Sequence, residues 1–177
     1  IRSTTILGIR VKGKVAVAGD GQVTLGDMAM KQKAVKVRKF DSPKGGVVGG
    51  FAGAAADALT LFERFEQKLD EYEGDLKRSV VEMAKDWRTD KILRHLEALL
   101  LVMDKRNSFI IAGDGNVIEP DGPIVAIGSG GGFAQAAATA FHQSGKFSVK
   151  QIVEKSLKIT ADLCIYTNDS ITVLELK

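Results

Sequence analysis

Few residues in this chain have the types and spacing needed for ordinary catalysis. His95 and His142 lie in separate segments with no second ligand at metal spacing, and both read as surface or interface residues. No His-centred triad can be built on them. Cys164 falls in the apolar stretch Leu163-Cys164-Ile165-Tyr166 and reads as a buried, inert thiol. The run Gly128-Ser129-Gly130-Gly131-Gly132-Phe133 follows an apolar segment and opens a helical one, the context of a phosphate loop. However, no Gly-Lys-Ser/Thr follows it, and Phe133 stands where a dinucleotide fingerprint needs its third glycine. Close helix–strand packing, or a Ser129 hydroxyl aimed at a site, explains the run better than nucleotide binding.

A threonine near the start offers another chemistry. A Thr hydroxyl is a poor nucleophile without a base, but an N-terminal Thr carries its own base, an α-amine with an ordinary pKa of ~7.7–8.0. That amine needs a fixed cation nearby to favour its neutral form. The cation needs a carboxylate to hold it, and the oxyanion needs a backbone N–H. Thr4, Lys36, Asp20 and Gly50 could supply these four parts. Each also has a plain structural reading: Asp20 as a turn residue, Lys36 as the wet face of a strand, and Gly50 as a bulge.

Three blocks of elements must position these residues. Thr4 to Val11, Lys14 to Gly19 and Val47 to Gly53 read as strands, with Lys12-Gly13 and Asp20-Gly21 as turns. Val35 to Phe40 alternates apolar and basic residues, which predicts a strand with Lys36 in its middle. Leu59, Phe62, Phe65 and Leu69 recur at helical spacing up to Gly74, and Asp75 is a candidate N-cap. Val80, Met83, Ala84, Trp87, Leu93, Leu96 and Leu100 extend a second apolar stripe. Strands follow at 99–104, 108–112, 117–118 and 124–127. Helices then run from Phe133 to His142 and from the Ser148 cap through Ala161, and a closing strand spans Ile171 to Leu176. This order lacks regular βαβ alternation, so a sandwich of sheets with helices outside is expected.

The 177 residues suit one domain. A hydrophobic content of 45% with 27% charged residues argues against disorder. The net charge of +3 is too small and too dispersed to argue for nucleic acid. One cysteine excludes a disulfide framework and fits a reducing compartment, so a cytoplasmic location is expected. No apolar run is long enough for a membrane span, and no secretory signal is visible.

Several motifs carry a resemblance that runs in order along the whole chain. They include Thr4-Thr5-Ile6, Gly19-Asp20-Gly21-Gln22-Val23-Thr24-Leu25-Gly26, Lys36-Val37-Arg38 and Gly50-Phe51-Ala52-Gly53. Lys85-Asp86-Trp87-Arg88-Thr89-Asp90, Ala126-Ile127-Gly128-Ser129-Gly130-Gly131 and Cys164-Ile165-Tyr166-Thr167-Asn168 continue it. Together they resemble the HslV-type peptidases, a proteasome-related family. The resemblance implies an α+β N-terminal-nucleophile hydrolase fold, a four-layer αββα sandwich of two antiparallel sheets. It implies a threonine endopeptidase acting on unfolded polypeptides, built as a homo-oligomeric double hexameric ring (a dodecamer). A separate HslU ATPase hexamer would feed substrates and activate the sites, in agreement with the missing nucleotide motif here.

Carried over by position, the resemblance makes Thr4 the nucleophile, Lys36 the group that tunes its amine, Asp20 the support of Lys36, and Gly50 the oxyanion donor. Ser129 falls near the amine. A sodium site of backbone carbonyls maps onto Ala161, Cys164 and Thr167, with Ala161 replacing the family's usual glycine. Ile1, Arg2 and Ser3 precede Thr4 and convert its nitrogen to an amide without basicity. Residues 1–3 are therefore expected to be a propeptide remnant ahead of a single peptidase domain, 4–177, and a chain that keeps them is expected to be an inactive precursor. A non-catalytic ring subunit and a small nucleotide-binding module are the alternatives.

Overall fold

The computed structural model describes residues 4–25, 28–95 and 97–177. The expected precursor residues 1–3, and Leu96 of the predicted second stripe, lie outside that set. One antiparallel sheet is ordered β10-β1-β2-β11, from Ile124–Gly128, Thr5–Val11, Lys14–Gly19 and Thr172–Leu176. A second is ordered β5-β6-β7-β8-β9, from Val37–Phe40, Val47–Ala52, Leu99–Met103, Ser108–Ala112 and Val117–Ile118. A small hairpin, β3 (Val23–Leu25) with β4 (Met28–Lys31), stands apart from both. Among the described residues, four α-helices complete the fold: α1 (Ala55–Glu71), α2 (Leu76–Thr89), α3 (Gly131–Ser144) and α4 (Val149–Leu163).

The period of two in the strands builds the layers. In β1, Ile6 points into the core between the sheets, where it joins Val15, Val17, Leu101, Met103 and Ile127. Its neighbours Leu7 and Ile9 point the other way, against Ala134, Ala138, Ile152, Val153 and Leu157 of α3 and α4. In β7, Leu101 and Met103 face the first sheet, while Leu100 and Val102 pack with Phe65, Val80, Met83 and Trp87 of α1 and α2. Both faces of these strands are covered, so they read as continuous apolar runs rather than alternating ones. The result is the expected αββα sandwich.

Local signals close the helices. The Asp75 carboxylate accepts from Arg78 N, and Ser148 forms a capping box with Gln151. Gly74, at φ +82°, returns its N–H to the carbonyl of Leu69 at 2.8 Å and ends α1.

Three expectations need correction. The second apolar stripe is not one helix: α2 stops at Thr89, Leu93 belongs to a short 3-10 turn, and Leu100 is in β7. The carboxylate of Asp90 accepts from Ile92 N and Leu93 N and redirects the chain there. Leu59 is exposed despite its place in the α1 pattern. Lys36 precedes β5 instead of lying mid-strand, and its burial is inverted: Lys36 is buried and Val35 is 69% exposed.

Candidate active site

Thr4 immediately precedes β1, and its carbonyl accepts from Ser129 N at 2.9 Å. The loop after β10 is thereby tied to the start of β1. Gly128 permits this approach: it has φ +94°, and a Cβ there would collide with the Thr4 carbonyl. Thr4 itself is buried and lines a small cavity of about 50 Å³ with Val23, Val35, Lys36, Phe51 and Gly53.

Asp20, at the end of β2, is buried and saturated with donors. Its Oδ1 accepts from Thr5 N at 2.9 Å and from Lys36 Nζ at 3.1 Å. Its Oδ2 accepts from Gln22 N at 3.1 Å and Asn168 N at 3.2 Å. Lys36 Nζ also donates to the Gln22 carbonyl, and the Lys36 carbonyl accepts from Phe51 N at 3.0 Å. The ammonium therefore points inward, which explains the inverted burial. Burial pushes the Lys36 pKa below the usual lysine range, and the Asp20 carboxylate partly opposes that shift.

Gly50 lies mid-strand in β6, in regular register with Val37 and Leu101, so it is not a bulge. Its missing side chain has a different cause: a Cβ there would strike Ile6, two residues beyond Thr4. Gly50 is also one residue before Phe51, which lines the Thr4 cavity. The structure thus places Thr4 and Lys36 on one cavity, ties Asp20 to Lys36 and to Thr5 N, binds Ser129 to Thr4 through its amide, and keeps Gly50 within the β6 ladders, off the cavity.

A second layer was not legible from residue types. The Thr5 hydroxyl accepts from Gly130 N at 3.0 Å and shares a 2.8 Å hydrogen bond with the Thr167 hydroxyl. Gln22 contributes a backbone carbonyl to Lys36, a role that no side-chain pattern can announce. Asn168, by contrast, stands within a quoted motif.

Ala161, Cys164 and Thr167 follow one another at the end of α4 and in the turn beyond it. Ala161 is in the last turn of the helix, where carbonyls lack a following helical N–H. The Cys164 carbonyl accepts from Thr167 N at 3.1 Å, and both residues are buried. Ala161 has helical backbone rather than a positive φ, so a side chain is carried there without backbone strain. Such oxygen donors suit a hard cation. Among the described residues no group of three His, Cys, Asp or Glu could hold a metal ion. His95 is exposed and His142 half-buried, and no helix among the described residues is long and apolar enough to cross a membrane.

Comparison with known proteins agrees with this architecture. Residues 2–176 match the family model described as proteasome subunit. The chain is 54% identical, over 176 residues and 99% of both chains, to the ATP-dependent protease subunit HslV of Aquifex aeolicus. It superposes on eukaryotic HslV from Trypanosoma brucei with a TM-score of 0.90 and 43% identity, covering 98% of this chain and 99% of that one. A more distant structure, Thiobacillus denitrificans BPH in complex with epoxomicin, shares the fold at a TM-score of 0.77 and 18% identity, over 98% of each chain. With its two antiparallel sheets between helical layers, the chain belongs to the proteasome subunit family and is a threonine-type peptidase of the HslV kind.

Proposed function

We propose that the chain is the proteolytic subunit of a two-component, ATP-dependent protease, with Thr4 as nucleophile once residues 1–3 are removed. The observation that carries this reading is the buried Lys36–Asp20 pair, 3.1 Å apart, whose lysine lines the same cavity as Thr4. In the processed chain, the Thr4 amine takes the hydroxyl proton, directly or through a water. Oγ bonds to the substrate carbonyl carbon, and a backbone N–H at the cavity donates to the oxyanion; Gly53 lines that cavity, whereas Gly50, the donor expected from the sequence, is held in the ladders of β6 with β5 and β7. The C–N bond then breaks, and the proton passes from the ammonium to the leaving amine. Water, deprotonated by the same amine, hydrolyses the acyl ester and restores the hydroxyl. Lys36 holds positive charge nearby and favours the neutral amine, while Asp20 fixes Lys36. Ser129 acts beside the amine through the loop it anchors.

The uncleaved chain suits a precursor. Thr4 has φ +134°, a torsion that a β-branched residue rarely adopts and that costs about 1–3 kcal/mol; removal of residue 3 abolishes it.

The remaining parts of the reading follow the family. Twelve copies form a double hexameric ring, an HslU ATPase hexamer delivers unfolded polypeptides and repositions the nucleophile region, and the setting is cytoplasmic. The carbonyls of Ala161, Cys164 and Thr167 would hold a sodium ion, which supplies a fixed charge that stiffens the turn after α4.

Thr4→Ala and the intact mass of active material test the assignment. Thr4→Ala abolishes peptide hydrolysis while particles still assemble, and the active chain begins at Thr4. Fully active particles whose chain begins upstream of Thr4 would overturn it.

A further inference from the structure

Lys36 lies outside regular structure, between β4 and β5, on a segment whose base must be held from elsewhere. The base of that segment is closed by Ala34 N donating to the Gly21 carbonyl at 2.8 Å. Asn168, far along the chain, grips both sides of it. Its Oδ1 accepts from Gly21 N at 3.0 Å and from Ser170 N at 3.2 Å. Its Nδ2 donates to the Gln32 carbonyl at 2.8 Å. Its own backbone N–H donates to Asp20 Oδ2. One carboxamide therefore joins the turn after Asp20, the end of the β3–β4 excursion and its own loop. Gly21 leaves no slack, because a Cβ there would strike the Gln32 carbonyl and approach Ser170. Gln22 adds a second stitch, donating from Nε2 to the Ile165 carbonyl at 2.9 Å.

We propose, resting on the assignment of Thr4 and Lys36 above, that Asn168 is a positioning residue: its carboxamide clamps Gly21 to Gln32 so that Asp20 and Lys36 stay registered on the nucleophile. It touches no reacting atom. Loss of the clamp frees the base of the segment that carries Lys36 and weakens the Asn168 N–H bond to Asp20. Asp20 and Lys36 form the ion pair at this junction, and Lys31, Lys33 and Asp169 are the charged residues next to Gln32 and Asn168.

Asn168→Ala in the full assembled chain tests this, with Thr4→Ala measured alongside. Small misplacements of a catalytic group cost on the order of 10²-fold. Asn168→Ala is therefore expected to lower kcat by about that factor, to leave KM within about threefold, and to move the acid limb of kcat/KM to higher pH as the amine loses its neighbouring cation. Asn168→Asp keeps an acceptor for Gly21 and Ser170 but loses the donor to Gln32, so it serves if the alanine variant does not fold. The same direction is expected there, because the added carboxylate also offsets the Lys36 charge. A folded variant with wild-type kcat and an unmoved acid limb overturns the positioning role. Failure of both variants to fold overturns it too, in favour of a purely structural role. Activity in Thr4→Ala would instead sink the underlying assignment of the nucleophile.

Discussion

In the proposed mechanism Lys36 must do two things that pull against each other. It must be buried to bring a charge close to Thr4, and burial makes that charge harder to keep. Asp20 offsets part of the cost and also holds Thr5 N, so the cation and the start of β1 share one anchor. The pKa of Lys36 in the folded chain lies below its ordinary value of 10.5. Between the two values the unfolded chain binds more protons than the folded one, so stability rises with pH across that window. Activity should move the other way, because Lys36 loses its charge there. Peptidase rates are thus expected to fall on an alkaline limb below 10.5 while thermal melts over the same range show increasing stability. Lys36→Met, which cannot titrate, should flatten the rise in stability; an unchanged slope would remove Lys36 as its source.

The glycine run after β10 shows how one loop is shaped by different constraints at successive positions. Gly128 meets backbone and has φ +94°, whereas a Cβ at Gly132, inside α3, would have nothing within 4 Å. Gly128→Ala should therefore destabilise the fold by about 1–3 kcal/mol and abolish peptidase activity, since it displaces Thr4. Gly132→Ala should raise stability by about 0.4–1 kcal/mol, because a helical position loses backbone freedom in the unfolded chain. Urea melts of the two variants should shift in opposite directions; a shared sign would refute this account of the loop. The same region shows what a linear sequence discloses. A strand entering a glycine run and then a helix was readable from local signals alone, as were the Ser148 and Asp75 caps. The β3–β4 hairpin was not, because its strands are short and its Met28 and Met30 are exposed. The inverted burial at Val35 and Lys36 was hidden for a related reason: alternation reports which residues are apolar, and a buried ion pair breaks that rule through contacts from distant segments. Asp20, Lys36 and Thr4 became legible only as a set, since each alone has an ordinary structural role.

At the level of the whole molecule, the two sheets bury their faces against each other and against the helices, yet the α3–α4 layer keeps apolar side chains outward. Ile159 and Leu163 lie one turn apart on α4 and face away from Val153 and Leu157, which fill the core. Leu163 is 60% exposed and Ile165, just beyond the helix, 80%. Phe133, at the start of α3, is also exposed. Apolar side chains grouped in this way on a single chain mark a surface that a partner covers, and in the proposed double ring that partner is another copy of the chain. Burying two added carboxylates in such an interface would be strongly unfavourable even with Lys155 one turn from position 159. The double substitution Ile159→Glu with Leu163→Glu should therefore leave the fold intact, since neither side chain is in the core. It should reduce the particle mass, measured by sedimentation, from twelve chains to a smaller species. Peptidase activity should fall with it, because α4 runs into the turn of Cys164, Thr167 and Asn168 that braces Asp20. A variant that still sediments as a dodecamer would move the ring contacts to another face and leave this apolar layer without a partner.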